Sequence, residues 1–346
     1  MSTATGESAK VSDFIARGAS GALPRLYGDA LVEAARRDPR IVCLSADLRG
    51  STETDRFAAE LPERHVEAGI AEANMIGMAA GMARCGDVPF AHSFSVFVTR
   101  RCYDQIAMQV AYPKLPVKIV GFLPGLTTAL GVSHQAIDDI ALMRALPNMT
   151  VVEPSGPEQL ASAVEAALAV DGPVYLRLKR PDAGVPIGAA RPLRLGRGEV
   201  LRRGADGAIF ACGVTVGAAL QAADALAKQG TEAAVVNMAT LKPLDEALVV
   251  EYARATGLIV AAENHTIIGG LGSAIAETLM EAGVAAGFAR VGVADRFAEG
   301  GSTPYLQAKY GLDATAIVQA YRRAEARRAT LRGAAGEAWR GAAGAA

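Results

Sequence analysis

Cysteine is scarce in this chain: four in 346 residues (Cys43, Cys85, Cys102 and Cys212), scattered and without a C-x-x-C pair. That spacing argues against a disulfide framework or a zinc site and fits a reducing cytoplasm. Long apolar runs are missing too. Although 51% of the residues are hydrophobic, no run reaches the roughly 18–20 residues of a membrane span. Met1–Lys10 is small and polar, without the charged-then-apolar order of a signal peptide. Neither sign of charge dominates: 35 basic and 36 acidic residues are interspersed, for a net charge of −1. This argues against a nucleic-acid or membrane partner. No fixed-period repeat is present, so a solenoid is not expected.

What the chain has instead is alternation. Strand-length apolar runs at 41–46, 88–92, 117–122, 150–153 and 174–178 are separated by helical patterns at 25–37, 72–84, 99–112, 138–145 and 157–170. Ser155 is a candidate cap for the last of these, with Pro157 in its first turn. Pro, Gly and Arg then accumulate without periodicity. A second alternation follows, with strands at 208–211, 233–238, 258–262 and 289–293 and helices at 216–228, 245–254, 272–282 and 314–328. Continuous apolar strands alternating with helices describe parallel sheets covered on both faces. The expected fold class is α/β: two consecutive three-layer α/β domains with mostly parallel sheets, at 20–182 and 199–330, joined by a linker at 183–198. The length suits about two domains, each able to bury a core. The Ala/Gly-rich end, 331–346, reads as a disordered tail.

One segment concentrates chemistry. Residues 64–75 run Arg-His-Val-Glu-Ala-Gly-Ile-Ala-Glu-Ala-Asn-Met: a glycine-bearing turn, the acid Glu72, then a helix of small residues and methionines. Taken alone, Glu72 is an acid favoured by the helix macrodipole. Phe94 and Phe97, three apart after a strand, have the spacing of core residues. Ser133-His134-Gln135 forms a polar loop, with Asp138 and Asp139 able to cap the next helix. His92 lies at the C-terminal end of a strand, where ligands collect in open α/β sheets. Gly269-Gly270-Leu271-Gly272 reads as a tight turn into a helix, and His265 as structural.

Taken in order, several pieces resemble the transketolase group of thiamine-diphosphate enzymes. They are residues 64–75, His92–Phe97, Tyr103-Asp104-Gln105, Ser133-His134-Gln135, Leu241-Lys242-Pro243-Leu244-Asp245 and the glycine turn, and the resemblance spans roughly 20–325. It implies a role for each candidate. Glu72 would hydrogen-bond a ring nitrogen of thiamine's aminopyrimidine and favour the imino tautomer that takes the C2 proton, a task suited to an apolar, water-poor site. Thiamine diphosphate itself supplies the ylid and the electron sink. Phe94 and Phe97 would stack on the pyrimidine; Tyr103 would join them or lie in the core. His134 would bind the substrate or transfer a proton, which makes Glu72 and His134 the catalytic pair. Arg101, and Arg177 or Arg180, would hold a sugar phosphate. His92 and His65 are further substrate candidates. Asp47, in Ser45-Ala46-Asp47-Leu48, would touch the cofactor or a partner.

The family's Gly-Asp-Gly…Asn segment, which holds the diphosphate through Mg²⁺, is missing. Gly28-Asp29-Ala30 and Ala205-Asp206-Gly207 are not followed by a fitting Asn. No metal ligand is therefore assigned. The resemblance implies the C-terminal subunit of a split transketolase, in an α2β2 assembly whose N-terminal, diphosphate-binding subunit holds the Mg²⁺. Helix 72–84, with its small residues and with Met75, Met78 and Met82, suits an adaptable interface or a buried core position. The implied reaction moves a two-carbon ketol unit from a ketose (phosphate) to an aldose (phosphate). Rival readings are the β subunit of a 2-oxoacid dehydrogenase E1 component, a deoxyxylulose-phosphate synthase, and a non-catalytic partner module. Two departures stand out. Ala129 and Leu130 precede Gly131-Val132-Ser133-His134, where the family carries an acid that reads a donor hydroxyl; its loss puts the usual pentulose-phosphate donor in question. Arg100 stands where some members have an aromatic residue or glycine.

Overall fold

The computed structural model describes residues 25–179 and 191–343. Its strands are β1 (Ile41–Ser45), β2 (His65–Glu67), β3 (Val88–Phe94), β4 (Lys118–Phe122), β5 (Thr150–Val152), β6 (Val174–Leu178), β7 (Glu199–Arg202), β8 (Gly207–Ala211), β9 (Ala233–Asn237), β10 (Thr240–Lys242), β11 (Leu258–Thr266) and β12 (Gly287–Val293). They form two sheets, ordered β10-β5-β6-β4-β3-β1-β2 and β12-β11-β8-β9-β7. Every pairing is parallel except β10 on β5 and β7 on β9. Helices cover both faces, so β1, β3, β4, β6, β8 and β9 are buried at every position. This is why they read as uninterrupted apolar runs. The chain is α/β with two mostly parallel sheets, as its alternation implies. No helix among the described residues is long and apolar enough to cross a membrane.

The short strands β2, β7 and β10 carry too little periodicity to be read from sequence. β10 matters most. It lies beyond the linker, yet it pairs with β5 in the first sheet, Thr240 opposite Val152 and Lys242 opposite Val151. Lys242 Nζ donates to the carbonyl oxygens of Arg144 (2.9 Å) and Leu146 (2.6 Å). Asp245 then caps helix Glu246–Thr256 by accepting from Leu248 N. The Leu-Lys-Pro-Leu-Asp run is thus a clasp between the two halves.

Several local expectations need correction. The helix expected over 99–112 starts earlier and is broken into Ser95–Arg100, Tyr103–Gln105 and a π-helical turn, Ile106–Ala111. Val96, Val98 and Thr99 are β-branched, and Thr99 Oγ1 bonds back to the Ser95 carbonyl, which favours a short helix. Ser155 does not cap helix Pro157–Leu168; its hydroxyl donates instead to Asn237 Oδ1 of the second half at 3.0 Å. Linker residues lie along the first domain, with Leu193 in its core; 183–190 fall outside the described residues. The last helix runs Ala314–Ala343, helical where composition suggested disorder, because alanine is the strongest helix former.

Candidate active site

The C-terminal ends of β1 to β4 share one edge of the first sheet. After β2, Gly69 adopts φ +70°, a left-handed conformation that costs glycine little. The reversal lets Glu72 open helix Glu72–Arg84. Glu72 is only 3% exposed. Its carboxylate accepts from Ser93 Oγ at 3.3 Å and faces Arg101 Nη1 at 3.3–3.4 Å. Phe94 ends β3 and Phe97 follows on helix Ser95–Arg100, their ring centroids 6.0 Å apart. The Arg101 guanidinium lies 4.0 Å from the centre of the Phe97 ring. From the loop after β4, His134 brings its ring edge-on to Phe97 at 5.1 Å and to within 6.1 Å of Phe94. Ser133 Oγ holds its Nδ1 at 2.9 Å. Burial, and then the Arg101 charge, push His134 below the usual imidazole range, so the ring is neutral at pH 7.

Glu72, Phe94, Phe97, Arg101 and His134 thus meet in one cluster. It can share a proton with a ring nitrogen, stack a planar heterocycle, and offer a neutral imidazole to a polar substrate. Ser93 was not anticipated; its only sequence signal is its position next to Phe94 at the end of an apolar strand. Arg100, the second departure, braces the histidine loop from below, with Nε 2.8–2.9 Å from the Asp138 carboxylate. That pairing also means Asp138 does not cap the helix it precedes.

Other candidates lie elsewhere. His92 is fully buried, with Nε2 on the Tyr27 hydroxyl (2.8 Å) and Nδ1 on the Leu44 carbonyl (3.0 Å). Burial lowers it to about 4. It tethers strands and has no nitrogen left for a substrate. Arg177 must also be withdrawn as a phosphate ligand. Nothing of it is exposed, and its donors are taken by Asp139, Glu153 and the carbonyls of Ala136 and Asn264. Its alternative, Arg180, lies outside the described residues. Tyr103 packs against the hydrophobic cluster that contains Met75, Ile76 and Ile106. His65 is half-buried and, among the described residues, makes no ring contact or hydrogen bond to the cluster. Asp47, exposed at φ +58°, donates its N–H to Glu67 Oε1 at 2.7 Å on the same sheet edge. His265 is buried, its Nδ1 2.8 Å from the Thr266 carbonyl and its ring between Asp139 and Glu263.

The second sheet has a similar C-terminal edge, but the first domain fills it. A Cβ on Gly213 would lie 2.1 Å from Glu153 Oε1, and one on Gly125 would lie 2.2 Å from the Asn264 carbonyl. A ligand position that open α/β sheets ordinarily offer there is closed. A cavity of about 320 Å³ lined by Asp38, Arg40, Asp87 and Lys118 sits at the opposite, N-terminal edge of the first sheet and contains none of the cluster. Among the described residues, no group of three or more His, Cys, Asp or Glu could hold a metal ion.

Two family models match: "transketolase, pyrimidine binding domain" over 22–185 and "transketolase, C-terminal domain" over 196–317. The chain is 48% identical over 295 residues to the 6-deoxy-6-sulfo-D-fructose transketolase subunit SqwH of Clostridium sp., covering 85% of this chain and 91% of that one. The chain belongs to the transketolase family. It is also 41% identical to a putative transketolase C-terminal section from Methanocaldococcus jannaschii, covering 85% of this chain and 93% of that one. A solved split-gene transketolase, described as an inactive β4 tetramer, superimposes with a TM-score of 0.79 at 45% identity, over 88% of this chain and 98% of that chain. Transketolases are thiamine-diphosphate proteins. The pyrimidine half of that cofactor fits here on two observations: a buried carboxylate with a serine donor beside it, and two aromatic rings next to it.

Proposed function

We propose that this chain is the C-terminal subunit of a split, thiamine-diphosphate-dependent transketolase. It completes its site with an N-terminal subunit that holds the diphosphate and Mg²⁺. The observation that carries the reading is the convergence of Glu72, Phe94, Phe97 and His134 on one sheet edge. When bound, the cofactor supplies the carbanion chemistry. This chain's residues do the rest. Glu72, kept in place by Ser93, holds a proton at the pyrimidine nitrogen. Phe94 and Phe97 fix the ring plane and exclude water. His134, neutral and oriented by Ser133, hydrogen-bonds the ketose oxygen atoms. Arg101 serves the anionic end of the substrate once released from Glu72.

The partner is proposed to dock on the outer side of helix Glu72–Arg84, which begins at the site itself. Met75 and Ile76 of this helix are core, but Asn74 and Gly81 face outward. Ile70, Met108 and Tyr112 add exposed apolar surface nearby. The donor is read as a ketose with an anionic far end, a phosphate or a sulfonate, the latter because the 48%-identical relative is named for a sulfofructose.

The test is reconstitution with the candidate partner subunit. Glu72→Gln should lower ketol transfer by about 10²–10⁴-fold, the range of a lost acid–base group, with the assembly intact by sedimentation. Unchanged turnover would sink the catalytic assignment. Assaying fructose 6-phosphate against 6-deoxy-6-sulfofructose then separates the two donor classes.

A further inference from the structure

Among the described residues, the second domain brings no group to the cluster, but it grips the loop that does. Residues 123–138, between β4 and helix Asp139–Ala145, carry His134 and have almost no regular structure of their own. Asn264, at the end of β11 and 1% exposed, spends its whole amide on the start of this loop. Its Oδ1 accepts from Leu126 N at 2.9 Å and its Nδ2 donates to the Pro124 carbonyl at 3.1 Å. Its own carbonyl accepts from Arg177 Nη2 at 2.9 Å, and the same nitrogen holds the Ala136 carbonyl at 3.1 Å. A second grip lies at Glu299–Gly300. The Glu299 carbonyl accepts from Gln135 Nε2 at 2.9 Å, and Glu299 N donates to the Tyr310 hydroxyl at 2.9 Å, which fixes that turn. Gly131, at φ +77°, packs on Gly300 so closely that a Cβ on Gly300 would lie 3.0 Å from the Ala129 carbonyl. Thr266 N adds a bond to the Ile137 carbonyl at 2.7 Å. The loop is therefore held on both sides of His134, while Ser133 and His134 stay free to face Phe97.

We propose that Asn264 and the Glu299–Gly300 turn are positioning elements for His134, so that the second domain sets how well the substrate is held. The inference rests on the reading of His134 as a substrate ligand. A loop this irregular would otherwise sample many conformations, and the imidazole would lose its fixed distance to the Phe97 face.

The test uses the reconstituted two-subunit enzyme with Asn264→Ala, Asn264→Asp, Gly300→Ala, His134→Ala and the Asn264→Ala/His134→Ala double variant. Asn264→Ala should raise the ketose KM about tenfold or more and leave thiamine diphosphate affinity unchanged. Asn264→Asp keeps the acceptor for Leu126 N but sets a buried acceptor against the Pro124 carbonyl, so it should raise KM at least as much as Asn264→Ala. Gly300→Ala should move KM in the same direction, and serves if Asn264→Ala does not fold. The double variant should be no worse than His134→Ala, because both act through one imidazole. Histidine-selective NMR supplies a readout independent of turnover: with four histidines in the chain, the His134 resonance can be assigned by difference. In Asn264→Ala it should titrate closer to the free imidazole value. If His134→Ala changes KM and Asn264→Ala and Gly300→Ala do not, or if the double variant is additive, the positioning role is overturned. If His134→Ala is itself silent, the reading of His134 fails instead.

Discussion

At the scale of single residues, Arg101 is the instructive case. It was expected to face a phosphate, yet its guanidinium stacks on Phe97 and pairs with Glu72, the two groups assigned to the cofactor's pyrimidine. A planar cation that stacks and hydrogen-bonds competes with a planar heterocycle for those partners. Arg101 is half-exposed, so its pairing is worth little, on the order of 0.2–1 kcal/mol. Arg101→Met should therefore tighten thiamine diphosphate binding about two- to fivefold, measured by fluorescence titration of the reconstituted complex. Weaker binding would show that Arg101 helps to hold the cofactor. The same variant removes a charge that lowers His134, so the acid limb of kcat/KM should move to higher pH. Glu72, Phe94, Phe97 and His134 were legible because each sits in a short ordered motif. Arg177 and His92 misled because a strand-end Arg or His reads the same whether it meets a ligand or a buried carboxylate. Only packing distinguishes them.

At the scale of elements, the glycine turn shows what a motif can hide. Gly269-Gly270-Leu271-Gly272 does open a helix, Leu271–Glu281, but its glycines also make room for an acid from a neighbouring strand. Glu263 Oε2 accepts from Leu271 N at 2.7 Å and Oε1 from Gly272 N at 2.9 Å, capping that helix from β11. A Cβ on Gly270 would lie 1.8 Å from Glu263 Oε2. Gly270→Ala must displace a buried carboxylate from its two donors, a loss of about 2–4 kcal/mol, read as a lower urea midpoint. Adding Glu263→Ala should recover part of it, because the clash partner is gone; a strictly additive pair would refute this account. No sequence periodicity reports such a cap, since its partner lies eight residues upstream on another element.

At the scale of the whole molecule, the two domains are joined through a shared sheet and a buried junction. β10 crosses from the second half to finish the first sheet, and a buried ionic layer lies between them. Arg177 pairs with Asp139 and Glu153, and His265 lies between Asp139 and Glu263. The domain alternation was legible; this junction was not, because it is made of three-residue strands and charges that sequence assigns to the surface. This layer, together with His92 buried inside the first domain, predicts how stability follows pH. Burial lowers His92 and His265 from 6.5 to about 4 and raises Glu263 from 4.5 to about 7. The histidine contribution is complete above pH 6.5 and fades as pH falls toward 4. The Glu263 contribution is complete below pH 4.5 and fades as pH rises through 7. Between pH 4.5 and 6.5 the unfolded chain binds the His92 and His265 protons that the native state refuses, and the lowered His65 and His134 add in the same direction, against the proton that Glu263 keeps and the raised Glu153. The histidines outnumber the opposing acids, so unfolding takes up protons and stability should fall on acidification, by about 1.4 kcal/mol per pH unit for each net proton. Urea midpoints across that window test it. Glu263→Gln removes one opposing group, so its slope should steepen by about one proton; a flat parent profile, or an unchanged slope in Glu263→Gln, would show that these buried groups do not govern the acid side of the stability curve.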